Sequence, residues 1–294
     1  MCPNNENINE MIGIESKKVL LALIKHNCKN IIDILISYGI DVTFNGNEPI
    51  KLATEYGYIE IVRSLIQAGA NSKCSITQAV KKQNYDILNL LEEKNVDIAD
   101  YINNHDYMPL FYAYGNTDVK MVKYLIKKGV KVEKNFNELM FNQIINGKNK
   151  LDVAKIVAIV IKRGADINEL SSVAISKVIS NRHTKVMKIL FENGLTIDDN
   201  IDVYGITTNL VGTNQYEMLS LILEYAKLKI ALYRSDGYLE RAIRKRHNEC
   251  AKIILEKCNI DLTGDIGSKL LEIAVEDKNY EIIELLVKRG AKAQ

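Results

Sequence analysis

Proline is nearly missing from this chain, with three in 294 residues, so little stands in the way of long helices. Cysteine is sparse and odd in number, at positions 2, 28, 74, 250 and 258 with no CxxC pair. That scatter excludes a disulfide framework and fits a reducing compartment. Neither sign of charge predominates: 39 Lys and Arg stand against 37 Asp and Glu, for a net charge of +2. No global field therefore calls for nucleic acid or an anionic membrane. Uninterrupted apolar runs such as Val19 to Ile24 are far too short to span a bilayer. The opening MCPNNENINE has neither a basic n-region nor an apolar h-region, so no secretory leader is expected. Together these features point to a soluble protein of the cell interior, in the cytoplasm and off the membrane.

The usual signatures of chemistry are missing as well. Gly205, Gly212, Gly264 and Gly267 lack the spacing of either common phosphate-binding loop, and neither G-x-S-x-G nor H-E-x-x-H occurs. His26, His105, His183 and His247 are dispersed. Cys250 and Cys258 lie eight apart on one apolar stripe and read as small core residues, since two ligands at that spacing cannot close a tetrahedral metal site. Acidic pairs such as Glu92-Glu93 and Glu276-Asp277 read as solvated faces. The expectation is a non-enzyme with no cofactor and no metal.

What the chain does have is a phrase that returns about every 30 residues, the period of a stacked helical array. An apolar stripe at helical spacing runs into a small residue, usually glycine, and then a short polar stretch. Good copies are IEIVRSLIQAGAN (59–71), DVKMVKYLIKKGVKV (118–132) and NYEIIELLVKRGAKA (279–293). The terminal residues are Gly39, Gly69, Asn95, Gly129, Gly164, Gly194, Ala226, Cys258 and Gly290, with gaps of 30, 26, 34, 35, 30, 32, 32 and 32. Repeats of this length are single supersecondary units that complete one another's core.

The second unit, TFNGNEPIKLATEYGYIEIVRSLIQAGANS (43–72), shows the construction. Asn45 and Gly46 supply a turn because both tolerate positive φ. Pro49 suits the first turn of a helix, and Ile50, Leu52 and Ala53 give that helix an apolar face. Gly57 ends it in the left-handed conformation. Ile59, Ile61, Val62, Leu65 and Ile66 then form the stripe of a second helix, capped by Gly69. Leu65 here and Leu285 in the last unit are expected to be buried between units.

This unit resembles the ankyrin repeat, whose pattern is G-x-T-P-L-H-x-A-A-x-x-G-H-x-x-I-V-x-x-L-L-x-x-G-A, with Glu48-Pro49-Ile50 in the place of Thr-Pro-Leu. Met108-Pro109-Leu110 keeps the first-helix signature elsewhere, and Ala79, Ala113, Ala242 and Ala274 hold its small-residue position. The Asn-, Ile-, Lys- and Tyr-rich wording is similar to the large ankyrin families of giant DNA viruses. The resemblance implies an all-α solenoid of about nine helix-turn-helix units with short or degenerate hairpin loops. Residues 1–15 would be a polar segment or partial cap, and 16–294 one continuous array. It also implies histidine before the second helix, where His183 and His247 stand.

Several units depart from the pattern. Unit three is short, so its hairpin is expected to be largely absent. Unit five has extra residues around 146–150, expected between its helices. Unit seven offers VYGITTNLVGTNQ (203–215) as a first helix, with two glycines that each cost about 1 kcal/mol against alanine. A soft joint near 200–232 follows from this.

In the ankyrin family, partners lie in the concave groove of hairpin tips and first helices. Its variable contact positions fall here on Phe44, Asn45, Asn47, Glu55 and Tyr56 in unit two. In unit four they fall on Asn104, His105 and Tyr107. In unit eight they fall on Tyr233, Arg234, Arg244 and Lys245. Each aromatic could instead pack on its own hairpin. Arg241, Arg244 and Lys245 also share a helix face, either as a solvated helix end complementing the dipole or as a patch for an anionic partner; nucleic acid is disfavoured for want of a stacking platform. The expected function is a monomeric interaction scaffold, a viral factor that engages a host protein in the host cytoplasm. The alternative is a substrate-recruiting adaptor of a ubiquitin-ligase or other enzyme complex, though the docking box such adaptors carry is missing from the sequence.

Overall fold

A computed structural model describes residues 16–132, 137–147, 149–196, 202–225 and 235–293. All regular structure among them is helical. The chain divides after Ala165 into two compact units. The first contains α1 (16–25), α2 (Lys29–Ser37), α3 (Phe44–Tyr56), α4 (Ile59–Gln67), α5 (Ile76–Lys81), α6 (Tyr85–Glu93), α7 (Ile98–Asn104), α8 (Met108–Gly115), α9 (Val119–Lys127), α10 (Glu138–Ile145) and α11 (Lys150–Lys162). The second contains α12 (Ser172–Ser180), α13 (Thr184–Glu192), α14 (Val203–Gly212), α15 (Tyr216–Tyr225), α16 (Ser235–Arg244), α17 (Asn248–Lys257), α18 (Asp265–Glu276) and α19 (Tyr280–Lys288).

Each unit is two layers thick because each hairpin has one apolar stripe per helix and buries it on the next hairpin. First helices pack in the order α3, α5, α8, α10 in one unit and α14, α16, α18 in the other. Second helices follow suit, as α2–α4–α6, α9–α11 and α13–α15–α17–α19. In α4 the buried residues Ile61, Val62 and Leu65 recur at the spacing of one helix face. The edge-to-face pair of Tyr85 and Tyr124, 5.7 Å apart, and the Tyr124 hydroxyl donating to Glu92 Oε1 at 3.1 Å join α6 to α9.

Two left-handed residues punctuate most of the described hairpins. The one after the second helix is Gly39, Gly69, Asn95, Gly129, Gly164, Gly194 or Gly290, the set that the sequence betrays through its glycines. The one ending the first helix is Gly57 in unit two but Asn27, Gln83, Thr117, Arg182, Asn214, Arg246 or Lys278 elsewhere. An L-residue pays about 1–2 kcal/mol for that conformation. Hydrogen bonds hold it in place: Thr117 N donates to Tyr114 O at 2.9 Å and Asp118 N to Ala113 O at 3.1 Å, and Arg246 and His247 repeat the pair on Ile243 and Ala242. Thr117 is the worst fitted, being β-branched at φ 54. Thr117→Asn is therefore expected to stabilise the protein by up to about 1 kcal/mol, because asparagine visits this region readily; an unchanged or lowered melting temperature would contradict that account.

The structure departs from the regular pattern at four places. The surplus residues of unit five do not form a loop between helices: α11 is 13 residues long where α4, α6, α9 and α13 are nine, so most of the insertion lengthens the second helix. Asn104 ends α7, a helix that occupies the hairpin position of unit four. Cys258 lies beyond α17 in extended backbone (φ −107, ψ 135), so this exit lacks the left-handed turn. Leu286, not Leu285, is the fully buried leucine of α19.

In unit three a single 3₁₀ turn, Ser72–Ser75, runs directly into α5 and leaves no hairpin. In unit seven α14 forms despite its glycines. The Asp202 carboxylate accepts the Gly205 N–H at 2.8 Å as an N-cap, and Val203, Leu210 and Val211 are buried. The remainder of the expected soft joint, at 197–201 and 226–234 and including Ala226, lies outside the described residues, as does the polar segment 1–15.

Candidate functional site

The hairpin positions of the first compact unit are mostly engaged with neighbouring backbone. Asn45, Gly46 and Asn47 form consecutive left-handed residues before Pro49. Asn45 Nδ2 donates to Glu48 Oε2 at 2.8 Å, and Asn47 Oδ1 accepts the Asn71 N–H of the next repeat at 2.7 Å. Asn103 does the same for Lys131 N, at 2.8 Å. Phe44 is only 5% exposed, with the Lys17 ammonium 5.4 Å from its ring centroid. It packs within the repeat and is not available to a partner.

Glu55 pairs with Lys82 of the following repeat at 3.3 Å. Asn104 Nδ2 donates to Asp100 Oδ1 at 2.8 Å, and His105 Nε2 stands 3.9 Å from Asp100 Oδ2, so these two candidates gather on one carboxylate. Tyr56, stacked on Tyr58 at 5.6 Å, and Tyr107, just ahead of α8, remain exposed. They are the surface aromatics of this unit that the sequence singles out.

In the second compact unit the basic residues converge on a cleft between α14 and α16. Tyr204, Thr208, Tyr238, Arg241, Arg244 and Lys245 surround about 440 Å³, with Gly237 and Glu240 on the same helix. Tyr233 and Arg234 lie outside the described residues. Glu240 accepts Arg244 Nε at 2.9 Å and Lys269 Nζ at 2.8 Å, and these bonds hold its carboxyl below the usual range. Lys245 Nζ donates to the Gly212 carbonyl at 3.2 Å, a neutral acceptor. The Arg241 guanidinium lies beside Gly212 and has no carboxylate partner among the described residues. One acid therefore faces three cations, and positive charge remains in excess.

The aromatic part of the cleft is unequal. Tyr204 is 55% exposed, while Tyr238 is buried, its ring 5.8 Å away and its phenol pushed up to about 12 by burial first and by Tyr204 second. Tyrosine and arginine together are the side chains that most often dominate interface energetics. Tyr204 and Thr208 escape a reading one repeat at a time, because they stand one repeat ahead of the residues they face. Aligning successive first helices as columns would have exposed the pairing.

The remaining candidates are structural. His183 and His247 occupy the N-cap positions of α13 and α17, and His247 Nδ1 lies 2.7 Å from the Val211 carbonyl of the preceding repeat. Cys250 is fully buried and burial pushes its thiol up to about 11, which makes it a poor nucleophile. Among the described residues, no group of His, Cys, Asp and Glu is placed to hold a metal ion, and no helix is long and apolar enough to cross a membrane.

Antiparallel helix pairs, left-handed residues after both helices, and side chains that tie one hairpin to the next define a helical-hairpin repeat protein. Residues 2–76 match the model of a family described as ankyrin repeats (3 copies). The chain is 37% identical over 126 residues to an ankyrin repeat protein of fowlpox virus (strain NVSL), covering 40% of this chain and 28% of that one. Two ankyrin repeat proteins of Acanthamoeba polyphaga mimivirus are each 25% identical, one over 256 residues (78% of both chains) and one over 149 residues (42% and 39%). The chain thus spans less than a third of the length of the fowlpox relative and most of the first mimivirus one. Residues 2–76 thus carry ankyrin repeats, as the wording of the second unit implies, and the relatives the chain matches are viral.

Proposed function

We propose that this chain is a non-catalytic scaffold that holds a partner protein against its hairpin and first-helix side, with the α14–α16 cleft as a principal seat. The observation that carries this reading is Arg241, a cation without a carboxylate partner among the described residues, lining one cleft with the exposed ring of Tyr204. Such a pair gains by burial under an anionic, partly apolar surface. Tyr56 and Tyr107 supply further aromatic contacts in the same manner. In sequence the ordinary period continues from Gly164 to Gly194, which supports treating 16–294 as a single array. The viral relatives and the free thiols of Cys28, Cys74, Cys250 and Cys258 favour action in the reducing interior of a host cell.

Cross-linking mass spectrometry in host-cell lysate tests the proposal, comparing the native chain with Tyr204→Ala plus Arg241→Glu. The expected result is cross-links from α14 and α16 to one partner, lost in the variant. Both substituted residues are exposed, so the fold should survive, as circular dichroism will report. Equal partner recovery from the two proteins would refute the assignment of this cleft.

A further inference from the structure

A second cleft lies in the second-helix layer of the first compact unit, between α9 and α11. Each wall contributes one isoleucine and two cations: Ile126 with Lys123 and Lys127, and Ile159 with Lys162 and Arg163. These residues surround about 600 Å³. Ile126 is buried and Ile159 half-buried, and all four cations are exposed. None of the four is ion-paired among the described residues. The acids that α9 and α11 could use are already taken, Glu92 by Lys128 at 2.7 Å and Asp152 by Lys155 at 2.8 Å.

Several other cations of this protein are paired with acids. Arg63 lies within 4 Å of Glu60 and Glu93, Lys82 pairs with Glu55, and Lys252 with Glu249 and Glu281. At the α9–α11 cleft the like charges instead repel one another across an apolar floor. Lys123 and Lys127 are four apart on one helix, a spacing that is unfavourable for like charges. Such an arrangement is relieved by an anion, and the isoleucine floor rewards apolar surface carried by the same ligand.

We infer that the α9–α11 cleft binds an acidic segment of a partner protein, its carboxylates on the rim cations and an aliphatic side chain over Ile126 and Ile159. The charge here is complementary to carboxylates and the floor to a Leu-like side chain. The cleft offers no aromatic ring on which a base could stack, which disfavours single-stranded nucleic acid. This surface belongs to the second-helix layer and is independent of the α14–α16 cleft.

A fluorescein-labelled peptide alternating paired glutamates with single leucines, titrated with the full chain and followed by anisotropy, tests the inference. Binding is expected at low salt, weakening by about tenfold or more as the salt rises and screens the rim. The same peptide with glutamine for glutamate is expected not to bind, and Lys123→Glu plus Arg163→Glu to weaken binding by about tenfold or more. Lys25→Glu, exposed on α1 and lining neither cleft, is expected to change it less than about twofold, since distant sites act independently. Retained binding by the double variant overturns the inference. So does tighter binding of a labelled oligothymidylate or of phosphatidylserine vesicles, which would replace the peptide with nucleic acid or membrane. Because Lys123 and Arg163 are exposed, unchanged circular dichroism will confirm that a loss of binding is not a loss of fold.

Discussion

Leu65→Ala is expected to lower the stability of the protein by about 2–5 kcal/mol. Leu65 is fully buried in α4, a helix with neighbours on both sides, α2 and α6. Truncation removes apolar surface from the core and leaves a cavity that helices anchored on both flanks cannot collapse to fill. In an array the damage also falls on two neighbour interfaces, so the denaturation curve should broaden or split as the flanking hairpins melt separately. The last unit provides an internal comparison: Leu286→Ala should cost far more than Leu285→Ala, since only the first is fully buried. Chemical denaturation followed by circular dichroism checks both. Equal costs for Leu285 and Leu286 would mean that α19 is rotated from the placement described here.

Gly267→Ala is the second large effect, with a loss of about 1–3 kcal/mol expected from overpacking. Alanine favours a helix over glycine by up to about 1 kcal/mol, so propensity alone predicts a gain. Space reverses the sign. A methyl group at Gly267, near the start of α18, would stand 1.9 Å from the Leu262 carbonyl oxygen and 2.6 Å from its carbon. Those are backbone atoms of the segment leading into the helix, so no rotamer can yield and the segment itself must move. Gly264→Ala is the control, because nothing lies within 4 Å of a methyl group there. Thermal unfolding of the two variants should separate cleanly; a Gly267→Ala protein as stable as the control would show that the Leu262–Gly267 approach is loose.

Much of the fold was legible because hydrophobic period and glycine position are local signals. Ile61, Val62 and Leu65 mark a buried face whatever surrounds them, and Gly69 marks the end of that helix. The errors arose where the deciding interaction is between repeats. Whether the surplus of unit five forms a loop or a longer α11 depends on the hairpins it lies against, as does the choice between Leu285 and Leu286. The candidate site was half legible for the same reason. Arg241, Arg244 and Lys245 announce themselves on one helix, but Tyr204 reaches them only after two first helices stack. Phe44 reads as a contact aromatic by position, yet the repeat has buried it. The cations of the α9–α11 cleft fall in two separate stretches of sequence, each of which looks like an ordinary solvated face.

The residues that close the first helices have one more consequence. At that corner the backbone takes the same bend with glutamine, threonine, arginine, lysine or asparagine as it does with Gly57. The bend is imposed by amide-to-carbonyl closure, which every amino acid except proline can make. The spelling of this corner can therefore wander widely while the path of the chain stays put, and kinship between such arrays is better judged from the cadence of bends than from letters held in common.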